Sequence, residues 1–404
     1  MTSSTAGAAI TDFARAIAPI TPEQFFSEYF EKKHLVIRRG TPDYYGPLLT
    51  VADIDRVLTT TMLPVEDMNM VNNGTRIEAE EYSMPSGFVD PVRAAQQFST
   101  GGTIILPGLH RRLPNLAAYC RDLETVFSCD LQTNIYFTPD NAQGFKTHYD
   151  SHDVIVLQTH GSKTWKIYDS PMVLPLRSQA FDPKGFEAGN VIDTFVLNAG
   201  DMCYIPRGVV HDAIATDEMS LHVTTGLLTP RWIDLLVEAI VEQAHQDPAL
   251  RCAVPPGYAN EGFDMAGALA QFRDLMARAA SGIDPARTLE NFGAEFRRRR
   301  TPVVPGQFLQ HVGADAIVPG TTVARRDALI YRIARFEDPE GDEVVLDVYG
   351  TEVAFPAHVE PALRDAMARP GPFAVGDLVG GLDDDGQAVL VRRLVREGVL
   401  YACG

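Results

Sequence analysis

Apolar residues along the chain change their spacing twice, and each change predicts a different kind of structure. Near the N-terminus Phe25, Phe26, Tyr29 and Phe30 recur at helical spacing behind Thr21-Pro22-Glu23-Gln24. That tetrapeptide predicts a helix start, with Thr21 as N-cap, Pro22 at the first helical position and Gln24 completing a capping box. Leu35-Val36-Ile37 predicts a strand, and residues 50–58 and 111–127 predict helices.

From residue 131 to 228 the apolar stretches become short, at 132–137, 153–159, 164–168, 190–197, Met202–Ile205 and 220–227. Turn residues separate them at Pro139-Asp140, His160-Gly161 and Asn198-Ala199-Gly200. Many short strands around a polar site predict a double-sheet jelly roll, or cupin barrel.

At Thr229-Pro230 the helical period returns. Trp232, Leu235, Leu236, Ala239, Ile240 and Gln243 mark an amphipathic helix with Thr229 as N-cap. Helical patterns follow at 263–279 and 284–297, the second opened by Asp284-Pro285. One helix pair cannot hide this much apolar surface, which leaves a dimer interface or packing onto the barrel. Residues 359–367, 375–380 and 386–397 then predict three helices before strand-like Val399-Leu400-Tyr401-Ala402, a winged-helix outline. The expected fold is mixed α+β: a double-stranded β-helix domain over 1–228, a helical domain over 229–304 and a winged-helix-like domain over 305–404.

Composition narrows the setting. The 404 residues exceed a usual single domain, and 45% apolar with 22% charged content is ordinary for a globular protein. No apolar run approaches the roughly 18 residues of a membrane span. The start lacks a basic segment followed by an apolar core, so no signal peptide is expected. Cys120, Cys129, Cys203, Cys252 and Cys403 are scattered and form no CxxC pair, which favours a reducing cytoplasm over disulfides or a zinc cluster. A net charge of −18 disfavours nucleic acid and would attract a basic protein or peptide. Arg297-Arg298-Arg299-Arg300 ends a helix, where a basic cluster is electrostatically suited.

Candidate chemistry concentrates in the barrel segment. In His148-Tyr149-Asp150 the i, i+2 spacing on a strand turns both ligand-type side chains to one face. Gly200-Asp201-Met202-Cys203-Tyr204-Ile205-Pro206-Arg207-Gly208 then leads through a turn to His211. Two imidazoles and one carboxylate with open positions suit non-heme Fe(II) that must also take a cosubstrate and oxygen. His152 has ligand spacing from Asp150 but is expected to face substrate or support the ligands. His160 is expected in a solvated turn, Trp165 in the core, and Arg207 and Asp212, which flank His211, in surface turns or at the substrate mouth. His222 faces either the barrel or the core.

These residues resemble those of the JmjC-type ribosomal oxygenases, the cupin group of Fe(II)/2-oxoglutarate protein hydroxylases. The likeness lies in the aromatic helix and strand from Phe25 to Ile37, in Asn134-Ile135-Tyr136-Phe137-Thr138-Pro139, and in Gly144 through Asp153 to Gln158, Gly161, Lys163 and Trp165. It continues in Gly200 to His211 and in Ser220-Leu221-His222-Val223-Thr224. The resemblance implies that His148, Asp150 and His211 ligate iron and that Lys163 pairs with the far carboxylate of 2-oxoglutarate. It implies polar contacts to cosubstrate from Asn134, Tyr136 and Thr224. It further implies dimerisation through the helical domain, O2 as oxidant, and hydroxylation of an Arg or His carbon in a ribosomal protein. A tailoring hydroxylase of a natural-product peptide or amino acid, a histone-type demethylase and an inactive cupin scaffold are the alternatives.

Overall fold

The computed structural model describes residues 12–170, 172–337 and 341–403. They divide into two compact units, Met1–Thr229 and Pro230–Gly404.

In the first unit, α1 (Phe13–Ile17) and α2 (Pro22–Glu28) precede β1 (Leu35–Ile37) and α3 (Val51–Thr60). Thr21 caps α2 by accepting from the Gln24 backbone N–H at 3.2 Å. A reciprocal capping box forms instead at α3, where Thr50 and Asp53 exchange bonds. Next come β2 (Asn69–Asn72), β3 (Thr75–Ile77), α4 (Pro91–Ser99), β4 (Thr103–Pro107) and α5 (Pro114–Phe127).

The remaining strands are β5 (Asp130–Thr138), β6 (Asp153–His160), β7 (Ser162–Tyr168), β8 (Val191–Asn198), β9 (Met202–Ile205), β10 (His211–Ala215) and β11 (Ser220–Leu228). They form an antiparallel eight-stranded sheet, β1-β9-β6-β11-β5-β4-β2-β3, and a three-stranded sheet, β10-β7-β8.

Strand alternation divides the large sheet into two faces. Ile135, Ile155, Leu157, Tyr204, Leu221 and Val223 pack with the N-terminal helices around Phe13, Phe25 and Tyr119. The opposite parity, Val154, Val156, Cys203 and Ile205, joins Trp165, Ile167, Phe195 and Leu197 of the small sheet in an inner core. This is the cupin arrangement of a mixed α+β chain, with its polar site on the inner face.

The second unit opens with α6 (Trp232–Gln246), α7 (Met265–Gly282) and α8 (Pro285–Arg299). The N-cap of α6 is Arg231 rather than Thr229, because the extended backbone runs one residue past Pro230 before it turns. After α9 (Gln307–Gly313) come β12 (Thr322–Arg325), β13 (Tyr331–Phe336), β14 (Glu343–Val348) and β15 (Thr351–Pro356). Then follow α10 (Glu360–Ala368), β16 (Phe373–Ala374), α11 (Asp384–Arg396) and β17 (Leu400–Ala402). The helix expected over 375–380 is only a tight turn at Val375–Asp377. The antiparallel sheet β13-β14-β15 lies where no element was expected, although Val344, Leu346 and Val348 alternate as buried strand residues.

Candidate metal centre

His211 opens β10, while His148 and Asp150 lie in the connection between β5 and β6. The strand expected under His148-Tyr149-Asp150 is therefore reduced to a single bridge, His148 opposite His211. Two interactions interrupt it: the carbonyls of Gln143 and Gly144 accept from the Asn73 and Gly74 backbone N–H groups at 2.9 and 2.7 Å. The connection thereby meets β10 at isolated bridges, Gln143 opposite Ile214 and His148 opposite His211, and not along a continuous ladder.

The bridge nevertheless brings the three side chains together. One ligand atom from each of His148, Asp150 and His211 lies within 4.8 Å of the others. His148 Nε2 stands 4.0 Å from Asp150 Oδ1, and His211 Nε2 stands 3.8 Å from Asp150 Oδ2. In both imidazoles Nδ1 meets the carbonyl two residues earlier, Lys146 O at 2.8 Å and Val209 O at 2.9 Å. Those acceptors fix the tautomer with Nδ1 protonated and leave Nε2 free as a metal donor. Burial first, and His148 second, push the His211 imidazole down to about 4, which keeps it neutral. Two imidazoles with Nε2 free and a carboxylate that face one point fit a divalent ion.

Support for the ligands comes from residues expected at the surface. Asp212 is buried, and its Oδ2 accepts from Thr147 Oγ1 at 2.7 Å and from Tyr168 O–H at 2.6 Å. It therefore anchors the residue before His148 to the small sheet. Arg207 is also buried and pairs with the fully buried Asp153 at 2.8 Å and with Glu31 at 2.5 Å. Tyr204 O–H donates to the same Asp153 at 2.7 Å. Both corrections have one cause: the turn after β9 folds inward, with Gly208 N donating to Asp150 O at 2.9 Å. Gly208 sits at φ +84, a left-handed conformation that a side chain there would strain.

The three residues open onto a cavity of about 340 Å³. Lys163, Asn134, Tyr136 and Thr224 all line it, as do His152, Trp165 and His222. Register explains the grouping, because Thr224 pairs with Asn134 and His222 with Tyr136. Lys163 is 4% exposed, and its Nζ donates to Thr138 Oγ1 at 3.0 Å. Burial pushes its ammonium down to about 7. His152 packs over Gly226, where a Cβ would lie 2.9 Å from the imidazole. Trp165 lines the cavity and also joins the inner core. His160 is exposed at the end of β6. Cys203 is buried in the inner core.

The JmjC domain profile matches residues 109–235. A bifunctional lysine-specific demethylase and histidyl-hydroxylase NO66 from Dictyostelium discoideum is 34% identical over 229 residues, covering 55% of this chain and 44% of that protein. Its namesake from Aedes aegypti is 34% identical over 60% of this chain and 39% of its own length. The chain thus matches less than half the length of these relatives. An X-ray structure of Escherichia coli ycfD superposes with TM-score 0.56 at 16% identity, over 95% of this chain and 98% of that one. YcfD described as a ribosomal oxygenase in complex with cobalt and 2-oxoglutarate gives TM-score 0.53 at 16% identity, over 96% and 99%. Sequence likeness and shared fold agree with the motifs around the metal centre: residues 109–235 are similar to JmjC domains, on a cupin fold.

Proposed function

We propose that the chain is an Fe(II)- and 2-oxoglutarate-dependent oxygenase that hydroxylates an Arg or His side-chain carbon of a ribosomal protein. One observation carries the reading: His148, Asp150 and His211 face the cavity that also contains buried Lys163. Iron and 2-oxoglutarate, when bound, supply the oxidising power to insert oxygen from O2 into a C–H bond.

The chain's own residues do the rest. His148, Asp150 and His211 hold the metal from one side and leave the cavity side open. Lys163, buried with one neutral hydroxyl partner, favours an entering carboxylate strongly, since an uncompensated buried cation is costly. Asn134, Tyr136 and Thr224 supply polar contacts along the cavity wall. Val154, Val156 and Trp165 exclude water from the reacting centre.

A net charge of −18 favours a basic polypeptide as substrate. We read residues 229–304 as a dimerisation domain. Trp232 at 80%, Phe272 at 62% and Leu236 at 54% exposure make an apolar face that a second copy would cover. Residues 305–404 are read as a winged-helix-like domain for protein contacts, and the chain as cytoplasmic. No described helix is long and apolar enough to cross a membrane.

The test uses protein purified without oxygen, then given Fe(II), 2-oxoglutarate and air, with and without ribosomal-protein peptides containing Arg or His. The reading expects succinate release stimulated by a peptide that gains one oxygen in mass. No turnover together with no metal-dependent thermal shift would overturn it. Oxygen gain on a small peptide natural product alone would select the tailoring alternative.

A further inference from the structure

The connection between β7 and β8 is pinned against the metal centre. Ser170 Oγ accepts from the Val210 backbone N–H at 2.7 Å, and Gln179 O accepts from Tyr149 O–H at 3.3 Å. Gly208 packs closely under the same connection, where a Cβ would lie 2.6 Å from Met172 O and 2.7 Å from Pro175 Cδ. These anchors set Phe181 beside the ligands, its ring centroid 6.2 Å from that of His148. Tyr149 and Phe186 meet Phe181 edge-on at 5.4 and 4.8 Å, which holds its ring in place.

A second ring reaches the same imidazole from the β5–β6 connection. Phe145 stands 5.9 Å from His148, lines the cavity and is 43% exposed. The Gln143 side chain steadies its backbone by donating to Phe145 O at 3.1 Å. Phe13 and Phe25 of the core are fully buried, whereas Phe145 is exposed and Phe181 half-buried beside the reacting centre. Apolar surface left wet at a cavity mouth is costly, so a bound group that covers it is favoured.

The rings also indicate which group. Aromatic faces attract cations, and the flat, weakly hydrated guanidinium stacks on them better than the compact ammonium of lysine. A target histidine is neutral above its ordinary value and lacks that attraction. Exposed Asp182 and Glu187 outnumber exposed Lys184 around Phe181 and Phe186, which further favours a cation. We infer that Phe145 and Phe181 form an aromatic rim that admits an arginine side chain to the metal centre and selects it over histidine and lysine. The inference rests on the proposed oxygenase reading and chooses between its two target residues.

The full chain loaded with Mn(II) and 2-oxoglutarate tests this without turnover, because bound Mn(II) speeds proton relaxation only in molecules that come close to it. The probes are N-acetyl-arginine methylamide and its lysine and histidine counterparts at about pH 8, where the histidine ring is neutral. The arginine probe is expected to be relaxed roughly two- to fivefold more than either of the others, the size of one cation–π contact at a partly exposed site. Phe145→Leu and Phe181→Leu keep apolar bulk and lose a ring, and each should bring arginine down to the lysine level. Phe181→Tyr restores a ring and should recover the preference.

Equal relaxation of the arginine and lysine probes in the parent would overturn the inference, and so would a preference for histidine. An arginine preference unchanged in both leucine variants would overturn it too, since the rings would then not be its source. A loss in Phe181→Leu that Phe181→Tyr does not recover would remove Phe181 from the rim. Calorimetry separates the two levels: a parent that binds neither Mn(II) nor 2-oxoglutarate would overturn the oxygenase reading and this inference together. A parent that binds both without preferring arginine would overturn the inference alone.

Discussion

His148 and His211 exchange both backbone hydrogen bonds, His148 N to His211 O at 3.1 Å and His211 N to His148 O at 2.8 Å. The two imidazoles of the metal centre are thus paired through main chain, and their ring centroids stand 4.6 Å apart. A site prepared in this way loses little freedom on binding metal. Replacing His148 or His211 by Ala should leave that backbone pair intact. Either variant should therefore stay folded, lose the metal-dependent thermal shift and lose at least about 100-fold in activity, since even outer contacts are worth 10–100-fold. Full activity in His148→Ala would remove it from the ligand set.

Asp212 acts at one remove, through Thr147 and Tyr168. Asp212→Ala should free the connection that carries His148 and weaken metal affinity about tenfold, with the Nε2 donors all still present. A metal titration of the variant checks this. Unchanged affinity would mean that the backbone pair alone holds the ligand.

The Lys163 ammonium has a sign that can be measured. Its value falls from the ordinary lysine range to about 7, so the folded chain binds fewer protons than the unfolded chain between about 7 and 10.5. The cost of burying the charge is full below pH 7 and fades as pH rises through that window. Lys163→Met should therefore be more stable than the parent at pH 6, on the order of 2–4 kcal/mol, with the gap shrinking toward pH 10. The same variant should lose 2-oxoglutarate binding. In the parent, binding should weaken above pH 7 as the free ammonium loses its proton. A pH-independent stability gap would show that the Lys163 ammonium keeps its ordinary lysine value in the folded chain.

Arg207, Asp153, Glu31 and Tyr204 form a buried polar cluster behind the metal centre. Asp153 is fully buried, so Arg207→Ala strands its carboxylate. The expected loss is about 3–5 kcal/mol of stability, read as a lower midpoint in urea. Arg207→Ala with Asp153→Asn should recover a large part. If the double variant is no better than the single one, the cluster contributes through packing and not through charge.

Trp232 and Leu236 sit one helical turn apart and are both exposed on α6. A Trp232→Asp, Leu236→Asp variant should sediment as a monomer where the parent sediments as a dimer. A monomeric parent would overturn the dimer reading.

The chemistry of the site was legible in the chain because it is carried by residue type and short spacing. His148-x-Asp150, the turn through Pro206 and Gly208 to His211, and the strands around them each depend on local rules. The strands at Met202–Ile205 and Ser220–Leu228 follow from short β-prone runs set off by turn residues. Lys163 needed the family resemblance, since a lysine beside Lys166 on a strand has no local mark of burial.

Other features belong to contacts between distant segments. Thr147 meets Asp212 across 65 residues and Arg207 meets Asp153 across 54, so no local pattern distinguishes them from surface turns. The His148-Tyr149-Asp150 stretch alternates like a strand, yet Asn73 and Gly74 take its neighbours' carbonyls and leave one bridge. The His222 ring is shut away from solvent, its Nδ1 without a partner among the described residues, only because Tyr136, Trp165 and the sheet enclose it. Spacing along the chain determined which groups could bind metal. Long-range backbone pairing and burial decided which of them meet, which are neutral and which still lack a partner, because only the folded sheets bring those groups together and exclude water from them.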